Sequence, residues 1–301
     1  AINELKKIIS DECIKHHITT DETTFSEYAS YRRFAIIIKN IKTKQDDITE
    51  EIQGPPLRIA KDKLGNWLPP AIGFAKKCDI ELDHINHKKN NKNEDILYAI
   101  KKTKGKKTIE ILGPLFESSI KKMKQPIAMK WETSVGPYIR PIQWICAMLD
   151  KTIIPMEIYN VTSSNRSFGH RFLTKTKDGS YLGKEIKLKS VLNYEQDLKK
   201  NYVIANHNER KEIINNALKE HIEPTAIDQS LLNEVNNLVE YPEVICIEFP
   251  KQFLALPKEV LIECIKKHQK AFIVPKKNAL TNSIAIVADS VTKTNKQSII
   301  D

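Results

Sequence analysis

Glycine and arginine are scarce in this chain, and it has no apolar run long enough to cross a bilayer. Only 9 Gly stand beside 14 Pro in 301 residues, which excludes collagen-like and glycine-rich low-complexity chains. The longest stretch without a charge is the twelve residues from Leu64 to Ala75, well short of the roughly 20 that a spanning helix needs. Membrane insertion is therefore not expected. The opening AINELKKIIS has no apolar core behind its charges, so no secretory leader is read there and a cytoplasmic location is expected. Cys13, Cys78, Cys146, Cys246 and Cys264 form no CxxC pair, and their odd number favours reduced, buried thiols over a disulfide framework.

Chemical motifs are also missing. Neither GxxxxGK[ST] nor GxGxxG occurs, so no phosphate-cradling loop is legible, and GxSxG and HExxH are absent too. Cys78 with His84 and His87, or Cys264 with His268, supply fewer than the four ligands of a structural zinc site. Glu240 and Glu248 flank a strand without a partner nucleophile. No catalytic residue, metal ligand or bound cofactor is assigned to this chain.

What the sequence has in excess is positive charge: 48 basic against 38 acidic residues, a net +10 and an isoelectric point near 9.1. Such a field attracts polyanions, although a surplus of this size also serves simply to solvate a surface. Only seven of the basic residues are Arg: Arg32, Arg33, Arg58, Arg140, Arg166, Arg171 and Arg210. Where Lys is the default cation, each Arg marks a position that needs a planar, bidentate fork, either for phosphate or for a buried carboxylate.

Periodicity predicts an α+β fold with mixed sheets and amphipathic helices, in two subdomains, 1–125 and 126–301. Helices are expected over the first residues (Ile2, Leu5, Ile8, Ile9, Cys13), from Pro69, from Leu115 to Met123, from about Asn208 to His221, from Asp228 to Tyr241 with Leu238 on its buried face, and from Pro257 to Gln269. Strands are expected at Phe34 to Ile38, Ile48 to Ile52 before a break at Gly54-Pro55-Pro56, Val244 to Phe249, near Phe272, and Ile284 to Val287. A hairpin is expected between Ile96 to Lys101 and Lys107 to Ile111. Beyond Pro126, runs dense in Ile, Trp and Tyr read as a central sheet that buries Trp131 and Trp144.

The nine residues from Ser164 to Phe172 gather Arg166, His170 and Arg171 with two rings and a glycine to bend the backbone. Guanidiniums contact phosphate and rings stack on splayed bases, while a structural turn with Arg171 on a buried acid and Phe172 in the core fits as well. Arg140 stands on a turn before Pro141. Lys267 and His268 end a helix, where a cation is favourable on dipole grounds alone.

These segments, in this order, resemble the β chain of the bacterial two-chain glycine-tRNA ligase. The likeness runs through Gly54-Pro55-Pro56-Leu57-Arg58, Pro70-Ala71-Ile72-Gly73-Phe74-Ala75, Met129-Lys130-Trp131, Arg140-Pro141-Ile142-Gln143-Trp144 and Gly169-His170-Arg171-Phe172-Leu173. It continues through Leu232-Asn233-Glu234-Val235, Glu240-Tyr241-Pro242, Phe253-Leu254-Ala255-Leu256-Pro257 and His268-Gln269-Lys270. The resemblance implies that ATP, Mg and glycine belong to a partner α chain, and that this chain helps hold the glycine tRNA and dock the α chain, with no DNA or membrane partner. It also implies that the sequence covers roughly the N-terminal half of the β chain, without the HD-type and anticodon-reading regions. Lys130, Gln143, Ala271 and Asp289 depart from the usual Arg, His, aromatic and Asn, and Gln143 rules out proton transfer there.

The expected tRNA contacts are Arg140, Arg166, His170, Arg171, Lys267 and His268. A purely structural scaffold, with RNA contacts outside this sequence, is the rival reading. A hydrolytic action on the tRNA end with His170 or His268 as base would need a nucleophile or metal that the sequence does not show.

Overall fold

The computed structural model describes residues 1–62, 64–89, 94–124, 128–131, 137–174, 176, 181–275 and 280–292. The chain forms an α+β structure in two compact units, one of Ala1–Glu12, Asp21–Asn40 and Leu112–Asp301, the other of Cys13–Thr20 and Ile41–Ile111. The smaller unit is thus an insertion in the sequence of the larger, and the boundary expected near residue 125 lies outside the described residues.

Helix α1 (Ile2–Lys15) buries Leu5, Ile9 and Cys13, four residues apart on one face. Strands β1 (Thr24–Ser30) and β2 (Arg33–Lys39) then pair antiparallel, Ser30 opposite Arg33, across the two-residue turn Tyr31-Arg32.

In the smaller unit, β3 (Ile48–Pro56) runs through the expected break. Its register slips between Gln53 and Pro56, and it is an edge strand, where prolines without an N–H are tolerated. After the single turn α2 (Leu57–Ala60), helix α3 (Pro69–Cys78) starts on its prolines and ends at Asp79 in the left-handed region. Ala71, Phe74, Ala75 and Cys78 form its buried stripe, against Leu97 and Ala99. Strands β4 (Asn86–Lys89) and β5 (Asp95–Thr103) complete a sheet of order β3-β5-β4. The expected hairpin across Lys107 to Ile111 does not form: β5 pairs back to β3, and Thr108 opens helix α4 (Thr108–Lys122).

The region expected as a central sheet is instead a set of short pairings. Strands β6 (Ile145–Cys146), β7 (Met148–Leu149), β8 (Thr152–Ile153), β9 (Glu157–Ile158) and β10 (Val161–Ser164) make the sheets β6-β10-β9 and β7-β8. Strand β11 (Arg166–Phe168) pairs with β12 (Glu185–Lys187). Trp131 is 43% exposed, correcting its expected burial: it sits by an isolated bridge between Met129 and Tyr138, where its Nε1 donates to the Tyr138 carbonyl at 3.0 Å. Trp144 is partly buried.

The remainder follows the pattern read from sequence. Helices α5 (Tyr194–Lys199), α6 (His207–Lys219) and α7 (Gln229–Asn236) precede β13 (Glu243–Glu248), α8 (Lys258–Glu263), β14 (Phe272–Ile273) and β15 (Ser283–Ala288), with sheet order β13-β15-β14. Asp228 caps α7, accepting from the Ser230 and Leu231 N–H groups at 3.1 Å each. Ile214, Leu218, Leu231, Leu232 and Val235 pack with Phe272 and Ala285. Leu238 is 51% exposed because α7 stops at Asn236, before the helical face reaches it. Cys13 and Cys78 are buried, whereas Cys246 and Cys264, also expected inside, are exposed.

Candidate functional site

The hairpin turn between β1 and β2 places two consecutive guanidiniums inside the larger unit. Arg33 Nε donates to Glu240 Oε1 at 2.6 Å and Nη2 to Oε2 at 3.1 Å, a two-pronged grip on a carboxylate with no solvent exposure. Ser30 Oγ donates to the same Oε1 at 2.6 Å, and Arg32 Nε lies 3.2 Å from Oε2, off the line of a well-directed hydrogen bond. The remaining donors bind backbone: Arg33 Nη1 to the Phe168 carbonyl at 3.0 Å, Arg32 Nη2 to those of Gly169 and Leu182 at 2.9 and 2.8 Å.

Burial by itself would raise the Glu240 carboxyl, but the charge and hydrogen bonds of Arg33, helped by Arg32 and Ser30, outweigh it and hold the carboxyl below its ordinary value. The same contest favours Arg33, whose guanidinium is raised by Glu240 despite its burial, while desolvation lowers Arg32. Arg210 is buried too. It donates to the carbonyls of Asn236, Ile204 and Ala29 at 3.1, 2.6 and 2.8 Å, and burial pushes it down to about 10.

His170 lies behind this cluster with no exposure, so its expected place on an RNA-facing surface is corrected. Its Nδ1 accepts from the Phe172 and Leu173 N–H groups at 3.3 and 3.1 Å, which puts the ring proton on Nε2. Nε2 is 3.2 Å from Asp289 Oδ2 but poorly directed at it, while Oδ1 of Asp289 accepts from the Glu240 and Tyr241 N–H groups. Gly169 serves close packing, since a Cβ there would lie 2.9 Å from Thr174 Oγ1 and 3.0 Å from Asn201 Cβ. Phe172, which the structural-turn reading of this segment would put in the core, is 57% exposed, and Arg171 Cζ sits 4.9 Å from its ring centroid.

A cleft of about 570 Å³ opens in front of these residues. Arg32, Arg33, Arg140 and Arg171, four of the seven arginines, line it, and no Lys, Asp or Glu is among its described lining residues. Trp144 forms part of the wall, with Arg32 and Arg33 Cζ each 5.6 Å from its ring centroid and Phe168 edge-on at 5.2 Å. Tyr31 also lines it. Burial pushes its phenol up to about 12, and its hydroxyl has no hydrogen-bond partner among the described residues.

Of the residues singled out in the sequence, the cleft brings together Arg140, which is exposed, and Arg171, which is half-buried. Arg166 is not in it: it faces outward on β11 and pairs with Glu185 at 3.3 Å. Lys267 and His268 are exposed on the turn of π-helix Cys264–His268, where Lys267 pairs with Glu263 one turn earlier. Tyr31, Arg32 and Arg33 were missed as cleft residues, although the scarcity of arginine had marked two of them. Among the described residues no group of three His, Cys, Asp or Glu side chains is placed to hold a metal ion, and no helix is long and apolar enough to cross a membrane.

The sequence profile described as glycyl-tRNA synthetase beta subunit matches residues 1–301. The chain belongs to this family. A glycine–tRNA ligase beta subunit from Shouchella clausii (strain KSM-K16) is 39% identical over 255 residues, covering 83% of this chain and 35% of the relative. Those from Listeria monocytogenes serovar 1/2a and Bacillus subtilis (strain 168) are 37% identical over 278 residues and 38% identical over 251, covering 91% and 82% of this chain and 38% and 35% of the relatives. The chain therefore spans a little over a third of the length of these beta subunits. Within this family member, two blocks that carry the resemblance, Arg140 to Trp144 and Gly169 to Leu173, both contribute to the cleft, and a third, Glu240 to Tyr241, sits behind it through Arg33.

Proposed function

We propose that this chain acts within the beta subunit of glycine–tRNA ligase, helping to hold the tRNA and to dock the α chain, and so supports ATP-dependent attachment of glycine without chemistry of its own. Arg140 and Arg171, in a cleft with no acidic side chain among its described lining residues, carry this reading, because such a surface suits phosphate. The net charge of +10 adds a longer-range attraction for RNA. ATP, Mg and glycine belong in this reading to the partner chain, in the cytoplasm. Arg140 and Arg171 are the strongest contact residues, Arg166, Lys267 and His268 are further exposed candidates, and His170 holds the turn that carries Arg171.

One observation favours the scaffold alternative. Arg32, Arg33 and Arg210 are spent on internal partners, and Arg166, Lys266, Lys267 and Lys270 are paired with acids, so much of the basic surplus is already engaged. A salt titration of tRNA binding by the assembled enzyme decides between the two. In the tRNA-holding reading, single Arg→Ala changes at Arg140 or Arg171 lower the slope of log affinity against log salt by about 1 each. An unchanged slope in both variants favours the scaffold.

A further inference from the structure

The lining of the cleft is more selective than phosphate attraction alone requires. A chain that places Lys at most of its basic positions puts none among the described residues of this lining; Arg32 and Arg33 are spent on Glu240 and backbone carbonyls, so Arg140 and Arg171 are the planar forks that the surface offers. Glu240, the one carboxylate that Arg32 and Arg33 share, is sealed behind them with no exposure. Arg140 and Arg171 have no carboxylate partner among the described residues. The cleft thus presents two unpaired cations, which disfavours cationic ligands, in a lining whose other residues are mostly apolar, Ile139, Ile142 and Leu182 among them.

Aromatic surface is interleaved with that charge. Tyr138 and Trp144 stand on the same stretch as Arg140, and the exposed ring of Tyr181 lies at the same cleft as Arg171. A volume of about 570 Å³ falls in the range of small-ligand sites, about 300–1,000 Å³, and is too small to admit a duplex. Forks for phosphate beside rings for a flat apolar face are the two halves of single-stranded nucleotide recognition.

We propose that the cleft between Tyr138, Arg140, Trp144 and Arg171 takes an unpaired nucleotide of an RNA strand, its base against the aromatic wall and its phosphates on the two unpaired guanidiniums. This rests on the tRNA-holding reading and narrows it to one site and one kind of RNA element. A free mononucleotide offers the same chemistry with fewer phosphates, and an acidic peptide offers charge without a base.

The test uses the full beta subunit assembled with its α chain and a fluorescent single-stranded tetraribonucleotide, followed by anisotropy. Expected is saturable binding that a duplex of the same sequence competes for poorly. Arg140→Ala and Arg171→Ala should each weaken it several-fold and lower the salt slope by about 0.7, the single-strand value per phosphate contact. Arg140→Lys should recover only part of the loss, since it keeps the charge and loses the fork. Arg140 is exposed, so its variants keep the test informative if Arg171→Ala unfolds.

Wild-type affinity for the tetranucleotide in both Ala variants overturns the cleft assignment, and so does equal competition by the duplex or by a tetra-aspartate peptide. Competition by adenosine monophosphate as strong as that by the tetranucleotide makes the cleft a free-nucleotide site and overturns its assignment to RNA. In each of these cases salt-dependent binding of whole tRNA by the beta subunit would still stand. Absence of that binding in the wild type overturns the tRNA-holding reading itself.

Discussion

Arg33 holds Glu240 from two sides at once, Nε on Oε1 at 2.6 Å and Nη2 on Oε2 at 3.1 Å, at a point where the carboxylate has no contact with solvent. Arg32 and Arg210 lie in the same electrostatic neighbourhood, with Asp289 as the second acid. Glu240 is thus paired with Arg32 and Arg33, while Arg210 feels both acids through space and donates to backbone carbonyls. The backbone carbonyls of Phe168, Gly169, Leu182, Ala29, Ile204 and Asn236 supply the rest of the solvation that water would have given.

Glu240 should leave its mark on acid stability. Its carboxyl is held below the ordinary value, so its contribution is fully present above the unfolded value of 4.5 and is lost as the pH falls through the lower folded value. Glu240→Gln removes the titration while keeping the shape. Its unfolding free energy should therefore depend less on pH below 4.5 than that of the wild type, and should be lower at neutral pH because Arg33 loses its counter-charge. Denaturant melts across the acid range measure both effects, and parallel acid limbs would contradict the assignment.

The phenol of Tyr31 predicts the opposite limb. Burial raises it from 10 to about 12, so the folded protein favours the neutral form, and the associated stability is complete below 10 and lost as the pH climbs towards 12. Because its hydroxyl is buried without a partner among the described residues, Tyr31→Phe removes an unsatisfied group and should stabilise by about 1 kcal/mol at neutral pH. It should also reduce by one the phenols that titrate late in ultraviolet absorbance. A destabilised Tyr31→Phe would show that the hydroxyl has a partner after all.

Amphipathic helices were the most legible part of the fold. The stripes of α1, α3 and α7 repeat at three and four residues, and each buries the face its spacing marks, save Leu238 beyond the end of α7. Pairings were less legible, because what decides them is distant: β5 finds β3 across about fifty residues, and Thr108 onward opens α4. For the site, Arg140 and Arg171 could be read from scarce arginine beside rings. The burial of His170 could not, since it depends on Asp289 and on backbone N–H groups two and three residues ahead of the ring. Arg32 and Arg33 were visible as arginines, but their carboxylate stands more than two hundred residues away.

The two tryptophans that the sequence treats alike should behave differently. Trp144 packs against Phe168 under two guanidiniums, so Trp144→Ala should cost about 3 kcal/mol. Trp131 is 43% exposed and makes one hydrogen bond to Tyr138, so Trp131→Ala should cost no more than about 1 kcal/mol. Chemical denaturation of both variants gives the comparison. Equal losses would mean that Trp131 is held by more than the structure shows.

On the proposed division of labour, in which this chain supplies no chemistry of its own, it should not activate glycine. Purified without the α chain, it is expected to give no glycine-dependent exchange of pyrophosphate into ATP, because the sequence contains neither of the phosphate-cradling glycine motifs. Exchange above background in a preparation free of α chain would overturn the division of labour in the proposed function.

The arginines should separate into two energetic classes. Arg33→Ala leaves Glu240 buried and uncompensated, which costs about 3–5 kcal/mol in comparable buried pairs. Arg210→Ala strips donors from three buried carbonyls, and Arg210→Lys should rescue it poorly, because one ammonium cannot reach Asn236, Ile204 and Ala29 in the directions that a planar fork reaches them. Arg166 differs, since its pair with Glu185 has both side chains well exposed, and Arg166→Ala should change stability by less than about 1 kcal/mol. Arg140, exposed and without a carboxylate partner among the described residues, should change stability as little. Thermal melts of the four Ala variants in one buffer, with tRNA affinity measured on the same samples, therefore sort fold from function: Arg33 and Arg210 move the melting temperature, and Arg140 moves affinity alone. If Arg140→Ala lowered the melting temperature as far as Arg33→Ala does, its guanidinium would be structural, and neither the cleft assignment nor the tRNA-holding reading could lean on it.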